Sequence, residues 1–261
     1  MATMRVHAVQ LSVDFAETPA DRIERTVRLV RGQAGADLVV LPELWVQGAF
    51  GYATFPQDAE PLDGPVVAAL SAAARDVGAW LHGGSIAERA EDGRLYNTCV
   101  VFSPDGALAA TYRKIHLFGF SGGETTVLSA GTDPVTVDID GVTTGLVTCY
   151  DLRFPELFRS LIDKGAGLFL VPAGWPDARV AHWSLLARAR AVEDQAFVVG
   201  VNGVGAQGRV TLAGRSVIVD PWGAVLAEGG TVEDVLVAEL DIASIAKTRA
   251  DFPVLKDRRL R

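Results

Sequence analysis

The chain is poor in what marks exported, membrane and nucleic-acid-binding proteins. It carries only two cysteines, Cys99 and Cys149, in 261 residues. They read as thiols rather than as a disulfide framework. No stretch of about 18 apolar residues could cross a bilayer. No charged segment followed by an apolar one marks an export signal at the start. A reducing cytoplasm is therefore expected. Basic residues do not cluster, and Lys and Arg (24) are outnumbered by Asp and Glu (32), for a net charge of -8. A nucleic-acid binder would show a basic face, so none is expected as a partner. The same charge offers an anionic substrate no long-range attraction, so any such substrate needs local cations. Four histidines, His7, His82, His116 and His182, show no metal-ligand spacing. No low-complexity segment, Ser/Pro linker or short repeat interrupts the chain, which predicts one domain over residues 1–261. Met1 to Thr3, ahead of a second methionine at Met4, are expected to be dispensable.

What is present is an ordinary globular composition: 49% apolar and 21% charged residues. Strand and helix patterns alternate throughout. Arg5 to Ser12, Asp37 to Leu41, Trp80 to Ile86, Leu95 to Phe102 and Ala107 to Tyr112 read as strands. Pro19 opens one helical stretch and Pro65 to Val77 forms a second. In the second half Val142 to Thr148, Gly167 to Val171, Phe197 to Val201, Arg215 to Val219 and Val235 to Leu240 read as strands. Phe154 to Lys164 and Trp183 to Asp194 read as helices. Mostly apolar strands interleaved with helices predict an α/β layered fold with covered sheets. Hairpin turns at Asp92-Gly93 and Asp140-Gly141 argue against a purely parallel sheet. Two halves of similar order suggest two packed sheets with helices outside. Gly203, Gly205 and Gly208 make a literal GxGxxG, but no helix follows, so a hairpin loop is the better reading.

Three residues stand at the carboxyl ends of predicted strands, where open α/β folds place ligands. They are Glu43 in LPELW, Lys114 in YRKIHLF and Cys149 in TCYDLRFPELFR. A thiol is nucleophilic as thiolate. A helix starting just after Cys149 and a nearby Lys114 ammonium are both expected to lower its pKa and to stabilise an oxyanion. Glu43 could take the thiol proton, protonate the leaving amine and activate water. Such a set performs acyl transfer to water without metal or cofactor. Taken singly, each residue has a plainer reading: a buried small hydrophobe, a turn cap, a solvated charge. Cys99, inside the apolar run Thr98 to Phe102, is read in that plain way. A cysteine–histidine pair using His116 or His182 stays open, although a packed helix residue is the preferred reading of His182.

LPELW, YRKIHLF and TCYDLRFPELFR resemble, in order, the three signature blocks of the carbon–nitrogen hydrolase (nitrilase-like) superfamily. The resemblance implies that Glu43, Lys114 and Cys149 form the catalytic triad and that Glu124, in GGETTVLSAG, assists them. It continues through AHWSLLARARAVEDQAFVVGVN, GRSVIVDPWG and FPVLKDRR, nearly the whole chain. The implied fold is a four-layer αββα sandwich of two mixed sheets. The implied assembly is a homodimer, with the helix after Cys149 and the tail Phe252 to Arg261 near the interface. CYDLRFPE and GWPDARVAHW look most like the omega-amidase branch, whose substrate is 2-oxoglutaramate. A nitrilase would carry Cys-Trp-Glu where this chain has Tyr150 and Asp151, which disfavours nitriles. The expected reaction is hydrolysis of a small carboxylate-bearing ω-amide to acid and ammonia through a thioester. The alternatives are an N-carbamoyl amino acid amidohydrolase, a deaminated glutathione amidase, or a non-catalytic binding protein on the same scaffold. Substrate-binding candidates are Arg179, in the loop before the Trp183 helix, and Arg153, close to the cysteine. Tyr150 and Trp175 stand beside them.

Overall fold

The computed structural model describes residues 3–119 and 122–260. Met1, Ala2 and Arg261, the outermost residues of two segments singled out above, lie outside the described residues. The first half contains β1 (Thr3–Gln10), α1 (Pro19–Arg31), β2 (Leu38–Val40), α2 (Phe55–Asp58), α3 (Pro65–Val77), β3 (Trp80–Arg89), β4 (Leu95–Phe102) and β5 (Leu108–Arg113). Then come β6 (Thr136–Ile139), β7 (Val142–Leu146), α4 (Pro155–Asp163), β8 (Leu168–Ala173), α5 (Val180–Asp194) and β9 (Phe197–Asn202). The last part holds β10 (Val204–Gln207), β11 (Val210–Ala213), β12 (Val217–Val219), β13 (Val225–Glu228), β14 (Asp234–Asp241) and α6 (Ala243–Asp251).

Two six-stranded sheets form, in the orders β14-β1-β2-β3-β4-β5 and β13-β12-β9-β8-β7-β6. Both are mixed. Strands β1, β2 and β3 run parallel, as do β7, β8 and β9, while the outer pairs are antiparallel. The period-2 pleat explains how one strand serves two layers. Leu38 and Val40 of β2 belong to the core between the sheets, with Cys99, Val101, Leu146, Leu168 and Leu170. Val39, between them, and Leu41 just after turn the other way, to Val27, Val30, Val66 and Leu70 of α1 and α3. On the second sheet, Phe158 of α4 and Ala187 and Ala191 of α5 cover the outer face. The layers are therefore helix, sheet, sheet, helix, the four-layer αββα sandwich that the strand order allowed.

Helix starts follow ordinary chemistry. Proline occupies the first turn of α1, α3 and α4, where its missing N–H is no loss. Thr18 caps α1 by accepting from Asp21 N. The elements missed in the sequence are short or lack a strong period: α2, α6 and β13; the hairpin read at Gly203 to Gly208 is present as β10–β11. That hairpin contains Gly205, and its turn contains Gly208, so the glycine pattern is a hairpin. Helix α5 starts at Val180, a turn earlier than expected. A larger correction concerns Cys149. The helix expected just after it begins only at Pro155, and residues Cys149–Arg153 form a 3₁₀ turn. Among the described residues no helix is long and apolar enough to cross a membrane.

The ring of Phe158 is fully buried and packs edge-on against Phe169 at 4.9 Å between centroids. Phe158→Ala should cost about 3–5 kcal/mol, read as a lower denaturation midpoint at unchanged m-value.

Candidate active site

Strand direction brings the site together. Strand β5 runs parallel to β2 and β3, because two antiparallel pairings separate it from β3. Glu43 and Lys114 therefore leave the same end of the first sheet. Cys149, Gly174 and Asn202 stand at one end of the parallel strands β7, β8 and β9 of the second sheet.

The turn after β2 is tightly held. Leu44 has a positive φ of 43°, and its N–H donates to Ser85 Oγ at 3.0 Å. Trp45 Nε1 donates to the Gly83 carbonyl at 2.9 Å. Strand β3 is irregular between His82 and Ser85, and a Cβ on Gly84 would come within 1.9 Å of the Pro42 carbonyl oxygen. Only glycine lets the Glu43 turn lie this close to the sheet.

Glu43 is buried, and its oxygens are well supplied. Oε1 accepts from Lys114 Nζ at 2.7 Å and from Asn97 Nδ2 at 2.8 Å. Oε2 accepts from Gly174 N at 2.8 Å. A Cβ on Gly174 would lie 2.2 Å from the Ala49 Cβ, so glycine is needed for this approach as well. Lys114 is 1% exposed and donates a second bond to Glu124 Oε2 at 2.7 Å. Glu124 also accepts from Phe118 N at 2.6 Å and from Asn97 Nδ2 at 2.8 Å. Burial works against the charge on Lys114, but Glu124, Glu43 and Cys149 outweigh it and hold the ammonium well above its ordinary pKa. Burial raises the Glu124 carboxyl against the pull of Lys114.

Cys149 begins the 3₁₀ turn with a φ of 45°. A left-handed conformation at a non-glycine residue stores strain and is common at reactive positions. Asp151 fixes the turn. It accepts from Thr148 N at 2.9 Å, Tyr112 Oη at 2.7 Å and His116 N at 3.0 Å, and pairs with His116 Nδ1 at 2.7 Å. His116 stacks on Phe154 at 3.8 Å. Cys99 is buried, as expected, with its sulfur 3.0 Å from Thr148 Oγ1.

The expected fall in the thiol pKa does not occur. Burial pushes the Cys149 thiol well above its usual value, Glu43 adds to this by its charge and a hydrogen bond, and Lys114 offsets only part. The Cys149 thiol is therefore held in its neutral form, so its use as a nucleophile would need a base.

A cavity of about 370 Å³, mouth included, lies over these groups. Its lining contains all eight residues singled out in the sequence: Glu43, Lys114, Glu124, Cys149, Tyr150, Arg153, Trp175 and Arg179. Phe50, Tyr52 and Phe118 complete an aromatic wall. The Arg153 guanidinium lies 4.7 Å from the Trp175 ring and its Nη2 is 3.2 Å from His182 Nδ1. Arg179 lies 5.3 Å from the Phe118 ring, and its carbonyl accepts from Trp175 Nε1 at 2.8 Å. Among the described residues neither guanidinium is paired with a carboxylate. His182 is exposed rather than packed, and neither His116 nor His182 lines the cavity. The cysteine–histidine alternative thus has no geometry behind it. Sequence reasoning missed Asn97 and Asp151. Their one signal was a polar side chain in an apolar strand or beside the cysteine.

Iodoacetamide should alkylate Cys149 and spare Cys99, measured by peptide mass spectrometry. Asp151→Ala would strand two buried donors, Thr148 N and Tyr112 Oη, and half-buried His116 N, and should lower stability by about 3 kcal/mol or more. Thermal melting checks the stability, and the alkylation rate of Cys149 should change with it.

The carbon-nitrogen hydrolase family matches residues 5–250. The 2-oxoglutaramate amidase of Paenarthrobacter nicotinovorans is 46% identical, over 97% of this chain and 89% of that one. A superfamily protein from Xanthomonas campestris, XC1258, solved with an arsenic adduct in its active site, superposes with a TM-score of 0.93. It is 34% identical, over 100% of this chain and 99% of that one. An amidase from Nesterenkonia sp. AN1 was solved with the acetamide moiety of fluoroacetamide on its active-site cysteine. It gives a TM-score of 0.84 at 26% identity, over 95% of this chain and 96% of that one. The chain belongs to the carbon-nitrogen hydrolase family.

Proposed function

We propose that this hydrolase cleaves the ω-amide of a small 2-oxo acid such as 2-oxoglutaramate, with Cys149 as nucleophile. The observation that carries the reading is the cavity, in which a strained thiol, two carboxylates and one lysine face two guanidiniums that have no carboxylate partner among the described residues. Glu43 takes the Cys149 proton as the sulfur attacks the amide carbon. Lys114 stabilises the oxyanion. Glu43 then protonates the departing nitrogen, and ammonia leaves a thioester. Water, activated by Glu43, attacks the thioester carbon and releases the acid and the thiol. Glu124 holds Lys114 in place.

The substrate carboxylate is met by Arg179, a guanidinium suited to bidentate binding, with Arg153 as the second cation. Tyr150 and Trp175 shape the wall between them. The likeness to a 2-oxoglutaramate amidase supports this choice over N-carbamoyl amino acids and deaminated glutathione. The chain acts as one domain, as a homodimer, and in the cytoplasm. Exposed Leu185, Val192, Trp222 and Phe252, with Trp222 stacked on Phe252, offer an apolar face for the dimer.

Ammonia release from 2-oxoglutaramate, N-carbamoyl amino acids and deaminated glutathione should favour the first. Cys149→Ala should abolish it with the fold retained, and Glu43→Gln should slow it about a hundred- to ten-thousandfold. Arg179→Met should raise KM for 2-oxoglutaramate while sparing a neutral amide. Fastest turnover of another panel member would replace the substrate, and equal effects on both amides would remove Arg179 from the site.

A further inference from the structure

Asn97 plays no part in the reaction just described, yet it touches both carboxylates. It lies near the start of β4, fully buried, where the chain leaving β5 still pairs with it. Lys114 N donates to the Asn97 carbonyl at 2.8 Å. Its single side-chain NH₂ group donates to Glu43 Oε1 and to Glu124 Oε1, both at 2.8 Å. The amide oxygen Oδ1 is buried and has no hydrogen-bond partner among the described residues. The NH₂ group alone therefore fixes the orientation. With the amide turned over, Oδ1 would face two carboxylate oxygens.

Counting lone pairs distinguishes the two oxygens of Glu43. Each carboxylate oxygen accepts about two hydrogen bonds. Oε1 already has two donors, Lys114 Nζ and Asn97 Nδ2. Among the described residues the one backbone donor to Oε2 is Gly174 N, which leaves a lone pair on Oε2 to exchange a proton with the thiol.

We propose that Asn97 is a positioning residue of the amidase site. Its amide clamps Glu43 to Glu124 and saturates Glu43 Oε1, so that every proton transfer runs through Glu43 Oε2. The proposal rests on the assignment of Cys149 and Glu43 above. In the first half-reaction the Sγ–H bond breaks, Oε2 takes the proton and the Sγ–C bond forms. That proton passes to the amide nitrogen as the C–N bond breaks and ammonia leaves. In the second half, Oε2 takes a proton from water as its oxygen bonds to the thioester carbon. The proton returns to sulfur as the C–S bond breaks. The amide has a second effect, because two carboxylates sharing one lysine repel each other. A neutral donor placed between them gives each a hydrogen bond without adding a charge.

The test uses two variants, Asn97→Asp and Asn97→Ser, beside Cys149→Ala and Glu43→Gln. The first keeps the shape but replaces the donors with a third carboxylate; the second keeps one donor and adds no charge, so it separates the loss of the donors from the added charge. kcat, KM and the pH dependence of kcat/KM are measured on whichever amide of the panel turns over fastest, with circular dichroism as the folding check. Asn97→Asp should lower kcat about ten- to a hundredfold at nearly unchanged KM. Losing donors to a carboxylate raises its pKa, so the acidic limb of the profile should move up by about one pH unit. Asn97→Ser should move both the same way by less. A loss of packing alone would lower the active fraction and leave the limb in place. A wild-type limb in folded Asn97→Asp, or in Asn97→Ser where the aspartate variant fails to fold, would overturn the role of Asn97. Ammonia release by Cys149→Ala would instead overturn the assignment beneath it.

Discussion

The site is organised around one buried ammonium held between two buried carboxylates. Lys114 binds Glu43 and Glu124 at the same distance, 2.7 Å, and all three are nearly sealed from solvent. Taking such charges out of water is expensive unless each finds a partner and its remaining bonds are filled. Here they are filled by Asn97, by Gly174 N and by Phe118 N. The cluster carries one more negative than positive charge. That surplus, with burial, keeps the neighbouring thiol protonated. Generating the nucleophile is therefore coupled to charging Glu43's proton site, which suits a residue that must take a proton and return it twice.

Cys149 depends on a second, separate anchor. Cys149 sits in a strained left-handed turn that nothing in its own sequence favours. Asp151 over-determines it through Thr148, next to the cysteine, and through Tyr112 and His116 of the segment leaving β5. Burial, and then Asp151 itself, raise the Tyr112 phenol well above its ordinary pKa, so it stays a donor. The strain at Cys149 is thus held by long-range bonds to a buried carboxylate, in keeping with the general cost of such conformations.

How much of this was legible follows from where each signal lies. Glu43, Lys114 and Cys149 stand just past strands whose apolar runs are plain in the sequence, so their shared end could be read. Glu124 came from the resemblance alone, because a short 3₁₀ turn in a loop has no period to detect. Arg153 and Arg179 reached the cavity as expected, but which elements would brace them was invisible before Trp175 and Phe118 were placed. Asn97 was hidden because its partners are 54 and 27 residues away. The thiol pKa was misread for a related reason: proximity of a lysine was visible, whereas desolvation and a second carboxylate were not. The helix read over Phe154 to Lys164 is present as Pro155–Asp163, but it does not begin directly at Cys149, because Pro155 fixes its first turn and Cys149–Arg153 form a 3₁₀ turn before it.

The division of labour between the sheets ties catalysis to the core. Glu43, Asn97 and Lys114 come from strands of the first sheet, and Glu124 follows it in the chain. Cys149, Gly174 and the arginine loops come from the second. Only the apolar layer between the sheets, with Val40, Cys99 and Val101 against Leu146 and Leu170, sets the distance from thiol to base. Gly174 N on Glu43 Oε2 and Tyr112 Oη on Asp151 are direct polar ties across that gap. Reacting groups misplaced by about 1 Å lose a large factor in rate. A packed interior resists such shifts because it has few voids to deform into. The inter-sheet core therefore does more than keep the chain folded: its close packing holds Glu43 of one sheet and Cys149 of the other against the same cavity.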